Sequence, residues 1–403
     1  MLTTLENLIR PKLRGLPTLR YFLRKAKNGL ERQNTSTFYI NNTLETLDNI
    51  DLLRAPKRLD KPTGALIEIT NACNLNCKMC LTNISSRPAG LMKPELFERI
   101  IVELKSLGLP GAGLHTVGET FVYKDLASLF EIVRKHNFPV WISTNAQFPE
   151  RIKPLYDQFP DVFSNIRVSI DGASRETFEH IRTGASFDKL VESLEVIHSI
   201  NEGKKNFRIY TFIDSIFNIE IIKDIPLYFE NFGKYVNEKD IRFHTITGLV
   251  LDNAYFDETF PYANLVHLNA PCRFPFSDMI YGFDGKATVC CRDYNAELTV
   301  GDINTSSAMD IWKGSEIEYI RQKHLNQETH ELPHCNDCHN AYDFIGPVMN
   351  NYIHYLKIKA PDLTPLEVEK NILSLLEGVN EIMGRKDIPA VKSFVIESFH
   401  KFN

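Results

Sequence analysis

The sequence predicts an α/β fold, a partial (β/α)6 TIM-like barrel followed by a small cysteine-rich extension and C-terminal helices. Three observations predict it. Between residues 65 and 249 short apolar runs alternate with amphipathic stretches, the pattern of βα units around a parallel sheet. The first apolar run ends in a loop carrying three closely spaced cysteines, where barrels place their sites. A second group of cysteines lies beyond the last run. The organisation expected is a basic, helical or irregular segment over 1–63, the barrel over 64–250, the cysteine-rich unit over 251–345 and a helical segment over 346–403.

Taken in order, residues 1–32 hold eight Lys or Arg against two Glu, and Pro11, Gly15 and Pro17 divide them into short helices. Their charges are read as a solvated cover for the barrel, with peripheral contact to an anionic membrane surface or to an anionic substrate as the alternatives. Residues 33–63 read as irregular. Strands are expected at 65–70, 112–117, 140–144, 166–171, 207–213 and 241–247. The stretch 94–107 sets Leu96, Ile100, Ile101, Leu104 and Leu107 on one helical face, and 125–137, 187–200 and 219–232 read likewise. Asp284-Gly285 predicts a hairpin turn, followed by a helix over 308–324. Thr364-Pro365-Leu366-Glu367 is a capping box with Pro at the first helical position, opening a helix toward Val379. A last helix over 390–402 is expected to dock on the barrel through Val391, Phe394, Val395 and Phe399.

Composition narrows the function. A hydrophobic content of 43% allows a sizeable core, and a net charge of −5 argues against nucleic-acid binding by the bulk of the chain. With no apolar run of about 18 residues and no hydrophobic signal, neither a transmembrane span nor secretion is expected, and a cytoplasmic location follows. Eight cysteines in short-spaced groups then point to metal rather than to disulfides.

Cys73, Cys77 and Cys80 share the loop Asn71-Ala72-Cys73-Asn74-Leu75-Asn76-Cys77-Lys78-Met79-Cys80. A [4Fe–4S] cube usually takes four thiolates, so three ligands leave one iron open, and an open metal position suggests chemistry. The competing reading is a zinc knuckle, but structural zinc needs a fourth Cys or His in the same unit, and the nearest histidine, His115, belongs to the next strand.

The spacing Cys-x3-Cys-x2-Cys resembles that of the radical SAM superfamily. That resemblance implies that S-adenosylmethionine chelates the fourth iron and is cleaved by a cluster electron to a 5′-deoxyadenosyl radical, with Met79 in the slot against the adenine. Further along, Gly118-Glu119 is similar to the family's Gly-Gly-Glu, with Val117 in place of the first glycine, which implies contact with the methionine amino group. Gly118 lets a ligand approach the backbone and Glu119 offers an acceptor. Ser143-Thr144-Asn145 resembles Thr-Asn-Gly, with Ala146 for the glycine. Ser169-Ile170-Asp171-Gly172 resembles Ser-x-Asp-Gly, suited to a ribose or to the methionine carboxylate. The resemblance covers roughly residues 64–250.

Beyond the barrel, Cys272, Cys290, Cys335 and Cys338 resemble the SPASM/twitch extension in its short form, which implies one auxiliary [4Fe–4S] cluster. A zinc ribbon is the rival at this second site. His334 and His339 are read as solvated or supporting groups. Cys291 is left over, either a small buried hydrophobe or the hydrogen-atom donor of an epimerase. The family implies a flavodoxin or ferredoxin-type reductant and two-electron oxidation of a carbohydrate-like or peptide substrate, with epimerisation through Cys291 as the alternative. The readings from other classes are a zinc-stabilised, non-catalytic binding protein and a non-catalytic iron–sulfur electron carrier.

Overall fold

The computed structural model describes residues 35–48, 57–163, 165–204, 208–245, 255, 259, 271–335, 345–385 and 387–402. Its strands are β1 (Gly64–Ile67), β2 (Ala112–Gly113), β3 (Val140–Thr144), β4 (Asn165–Ser169), β5 (Tyr210–Phe217), β6 (Ile241–Thr245), β7 (Asp278–Tyr281), β8 (Lys286–Thr288) and β9 (Thr299–Asp302). They form one sheet in the order β6-β5-β4-β3-β2-β1-β7-β8-β9. β1 to β6 run parallel and in sequence order, the six-unit arc that the alternation of apolar and amphipathic runs predicts. Ile67, Ile142, Ile166, Val168 and Ile213 point from these strands to the surrounding helices and are fully buried, while their neighbours along each strand face the lumen.

The cysteine-rich unit is sewn into the same sheet. β7 pairs parallel with β1, Leu66 opposite Ile280, and returns as antiparallel β8 through the Asp284-Gly285 turn, where Gly285 takes φ +94°. The sequence foretold the hairpin but not its bond to β1.

Several expected boundaries move. β2 is only two residues long, because after Leu114, whose N–H still reaches Trp141 O (2.8 Å), the chain swings toward the cysteine loop and Glu119 N–H bonds to Ala72 O (2.9 Å). The helix expected over 219–232 breaks into Ile219–Ile222 and Ile225–Phe232, with Pro226, which has no N–H to donate, in the first turn of the second piece. Gly314 divides the helix expected over 308–324 into Ala308–Lys313 and Ser315–Leu325. The segment read as irregular contains the helix Thr35–Asp48, whose buried Tyr39, Thr43 and Leu47 recur every fourth residue. The helices Pro149–Gln158, Arg175–Ile181 and Ile345–Lys359 add to those expected. The basic residues 1–32 lie outside the described residues.

The open edge of the arc at β6 is covered. On the helix Ile345–Lys359, Asn350 Oδ1 accepts Phe243 N–H (3.0 Å) and His354 Nε2 donates to Ile241 O (2.9 Å), which occupies edge groups that would otherwise invite another strand. Tyr39 stacks on His354 at 5.2 Å between centroids, and Asn351 Nδ2 reaches Thr43 Oγ1 (3.1 Å). The capping box at Thr364 opens the helix Pro365–Gly384 as expected. The last helix, Ile388–His400, buries Val391, Val395 and Phe399, but Phe399 packs on Tyr352 and Tyr355, so it docks one layer out from the barrel. Among the described residues no helix is long and apolar enough to cross a membrane.

Candidate active site

The 71–80 loop leaves β1 and is held by four elements. Thr70 Oγ1 donates to Gly90 O (2.7 Å), while Asn71 bonds Pro88 O through Nδ2 (3.0 Å) and Gly90 N–H through Oδ1 (2.8 Å). Gly118, at φ +86°, lies so close that a Cβ there would stand 2.4 Å from Thr70 O, a fit only glycine permits. Asn145, just beyond β3, donates from Nδ2 to Asn74 Oδ1 (2.9 Å). The N–H groups of Asn76 and Lys78 bond Thr183 O and Ile181 O, both at 2.9 Å, at the end of the helix Arg175–Ile181.

Within this clamp Cys73 Sγ accepts from Leu75 N–H (3.5 Å) and from Asn145 Nδ2 (3.9 Å), and Cys80 Sγ lies 3.2 Å from Thr82 Oγ1. Burial pushes the Cys77 thiol up to about 12, with the Arg182 guanidinium pulling the other way, and burial raises Cys73 too. Thiols so placed are poor free nucleophiles, whereas coordination deprotonates a thiol outright. Met79 is buried beside them. A cavity of about 220 Å³ opens against Cys73, bordered by Thr82, Arg87 and Val117.

The other residues singled out in the sequence gather at neighbouring strand ends. Glu119 is buried and accepts Phe121 N–H (3.0 Å), Asn145 N–H (2.7 Å) and Thr144 Oγ1–H (2.8 Å). Burial raises its pKa, and these three donors oppose the rise. Ser169 ends β4, partly exposed. Asp171 is fully buried, accepts Ile216 N–H (2.7 Å) and pairs with Arg182 Nη2 at 2.6 Å. Arg182 is the residue that sequence reasoning missed. Burial works to lower its pKa, but Asp171 more than offsets this, and its Nε is buried without a hydrogen-bond partner. The available signal was a single cation on the first turn after the helix that follows Ser-x-Asp-Gly.

In the extension Cys272 stands just before the short helix Phe274–Ser277 that feeds β7, and its N–H reaches His324 Nδ1 (3.3 Å). Cys290 follows β8 at the same end of the hairpin, since Thr288 lies opposite Ile280. Cys335 N–H bonds Leu332 O (3.3 Å) after the turn Thr329–Glu331. Cys338 and His339 lie outside the described residues. His334 is no lone group: its Nε2 is 2.8 Å from Glu297 Oε2 and 3.6 Å from Asp293 Oδ1. Cys290 and Cys291 lie beyond the end of β8 at Thr288, in a turn that Asp293 N–H closes on Cys290 O (3.2 Å). Both border one cavity, with Thr116 and Val117 on its barrel side.

The Radical SAM superfamily model matches residues 67–216, and the iron–sulfur cluster-binding SPASM domain matches residues 272–339. Residues 67–216 are thus a radical SAM domain, and residues 272–339 a SPASM domain. The first domain implies a [4Fe–4S] cluster with S-adenosylmethionine, and the second implies auxiliary iron–sulfur clusters. Mycofactocin maturase MftC of Mycobacterium tuberculosis is 31% identical over 139 residues, 34% of each protein, so the chain spans about a third of that relative's length. The tungsten-containing aldehyde ferredoxin oxidoreductase cofactor-modifying protein of Pyrococcus furiosus is 22% identical over 325 residues, covering 69% of this chain and 88% of that protein. The structure of native anSMEcpe with bound AdoMet shares the fold at a TM-score of 0.51 and 15% identity, covering 77% of this chain and 100% of that one.

Proposed function

We propose that this radical SAM enzyme reductively cleaves S-adenosylmethionine and takes a hydrogen atom from a substrate held in the barrel. The outcome is two-electron oxidation of a carbohydrate-like or peptide substrate assisted by one auxiliary [4Fe–4S] cluster. The observation that carries the reading is the clamped loop of three free cysteines, of which Cys73 lines the adjoining cavity. When bound, the cluster and S-adenosylmethionine supply the 5′-deoxyadenosyl radical, chemistry that belongs to the cofactors.

The chain's own residues bind and orient. Cys73, Cys77 and Cys80 hold the first cluster; Cys272, Cys290, Cys335 and Cys338 hold the second. Glu119, already fixed by three donors, keeps acceptor capacity for an ammonium. Ser169 and Arg182 face a carboxylate, with Asp171 acting through Arg182. Gly118, Thr144 and Asn145 set the backbone against which the ligand lies, and Met79 and Val117 keep water from it. The relatives' names, a maturase and a cofactor-modifying protein, add cofactor-like molecules to the substrate classes proposed. A flavodoxin or ferredoxin-type protein supplies the electron.

Epimerisation is the second reading, favoured because Cys291 borders the cavity that also touches Thr116 and Val117 of the barrel. Anaerobic reconstitution with iron and sulfide counts, then dithionite and S-adenosylmethionine, tests the proposal. About eight irons, four per cluster, and 5′-deoxyadenosine that disappears when Cys73, Cys77 and Cys80 become Ala are expected. Iron near zero, or deoxyadenosine surviving the triple change, would overturn it.

A further inference from the structure

Below the cysteine loop the barrel lumen carries more charge than cofactor binding uses. Ser143 on β3 pairs in register with Arg167 on β4, Arg167 with Phe212 on β5, and Asp214 on β5 with Arg242 on β6. The Trp141 indole lies against Gly113, where an added Cβ would come within 2.7 Å of Nε1, so the missing side chain makes room for the ring.

Asp214 is fully taken up. Arg242 Nε and Nη2 reach its two oxygens at 2.7 and 2.9 Å, and His244 Nε2 stands 3.0 Å away. Burial works to raise its pKa, yet His244 and Arg242 hold it below the usual carboxylate range. Arg167 has no such partner among the described residues. Its Nε is buried and unbonded, and its Cζ lies 6.0 Å from the centre of the Trp141 ring. His115 Nδ1 and Trp141 Nε1 are likewise buried without a hydrogen bond. Burial first, and then the Arg167 charge, push His115 down to about 4, so at neutral pH it is uncharged and can carry its proton on Nδ1.

Asp214 is bonded to Arg242 and acts on Arg167 only through space, so two arginines share one carboxylate and this part of the lumen keeps a net positive charge among the described residues. An unpaired buried charge is costly, and each buried N–H without an acceptor adds about 1–3 kcal/mol. Three such groups facing one lumen fit a site that a ligand completes.

We propose that the substrate enters the barrel with an oxyanion group, a carboxylate or a phosphate, seated on Arg167 and flanked by the N–H groups of His115 and Trp141. The planar guanidinium suits two-point binding of either oxyanion. This deepens the function proposed above and rests on it for the word substrate; the anion site itself does not depend on radical chemistry.

Anaerobic calorimetry of the reconstituted full chain tests it, with inorganic phosphate and propionate as separate probes. The protein should bind one of the two with one site per chain, and which one binds tells phosphate from carboxylate. Arg167→Gln should weaken that binding at least about tenfold, the value of a charged hydrogen bond. Arg167→Lys should recover part of the loss, and Trp141→Phe should weaken binding less. Arg385→Gln, on the exposed surface, should change nothing. The site should still bind the anion with S-adenosylmethionine saturating.

Failure of the unaltered protein to bind either anion would overturn the proposal. So would affinity indifferent to both Arg167 variants with their thermal transitions intact, or displacement of the anion by S-adenosylmethionine, which would give Arg167 to the cofactor's own carboxylate. Anion binding at Arg167 in a protein that makes no deoxyadenosine would sink the radical reading and leave the anion site standing.

Discussion

The 71–80 loop and the extension that carries Cys272, Cys290 and Cys335 are held by different means. The loop is gripped over a few residues, by the close approach of Gly118, by Asn71 and Asn145 side chains, by backbone bonds from Ile181 and Thr183, and by the buried Asp171–Arg182 pair beside Cys77. In the extension the cysteines stand at the ends of elements far apart in sequence. Their neighbourhood is fixed by the β7–β8 hairpin, by His324 under Cys272 and by Asp293, which accepts the N–H groups of Glu297 and Leu298 at 2.8 and 2.7 Å. The proposed assignments fit this contrast, since a site that keeps one iron open needs its geometry set locally, whereas one closed by four thiolates would rely on the cluster itself to gather them.

That contrast gives the order of expected effects. Arg182→Met should cost about 3–5 kcal/mol in urea unfolding, since it leaves Asp171 buried and uncompensated, and adding Asp171→Leu should restore most of it. Asp293→Ala in the extension should cost less, about 1–3 kcal/mol, for two N–H groups left without an acceptor. Equal costs would erase the difference between the regions.

Acid pH tests both sides together. Burial pushes His115 in the barrel and His324 by the extension down to about 4. Between the unfolded value of about 6.5 and that value, the unfolded chain binds more protons, so stability is full above the window and falls as pH drops through it. Each histidine contributes a slope of up to about 1.4 kcal/mol per pH unit. His115→Gln and His324→Gln should each flatten the stability-against-pH curve, and an unchanged curve for either would exempt that region. The smallest effect is expected far from both. Thr364→Ala removes a helix cap at a cost of about 1 kcal/mol and should leave deoxyadenosine formation unaltered.

The loop was legible because its chemistry is compressed into ten residues and its supports follow at successive strand ends. The six parallel strands were legible for the same local reason, each an apolar run followed by an amphipathic one. Arg182 was not, since one arginine after a short helix looks like any surface cation until the fold buries it against Asp171. The lumen set comes from β4 (Arg167), β3 (Trp141) and the segment after β2 (His115), and has no motif. The pairing of β7 with β1 also escaped, because nothing along the chain tells a hairpin which sheet edge it will extend. Thr35–Asp48 was missed although Tyr39, Thr43 and Leu47 carry its period, since threonine in an apolar stripe dilutes the signal.

The most direct test of the central claim, an open cluster in the loop and a closed one in the extension, compares two cysteine-replaced variants after anaerobic reconstitution. Replacing Cys272, Cys290, Cys335 and Cys338 with Ala should lower the iron from about eight to about four per chain and leave deoxyadenosine formation measurable. Replacing Cys73, Cys77 and Cys80 should lose a similar amount of iron and all of the deoxyadenosine. Deoxyadenosine lost with the extension cysteines and kept without the loop cysteines would contradict the account.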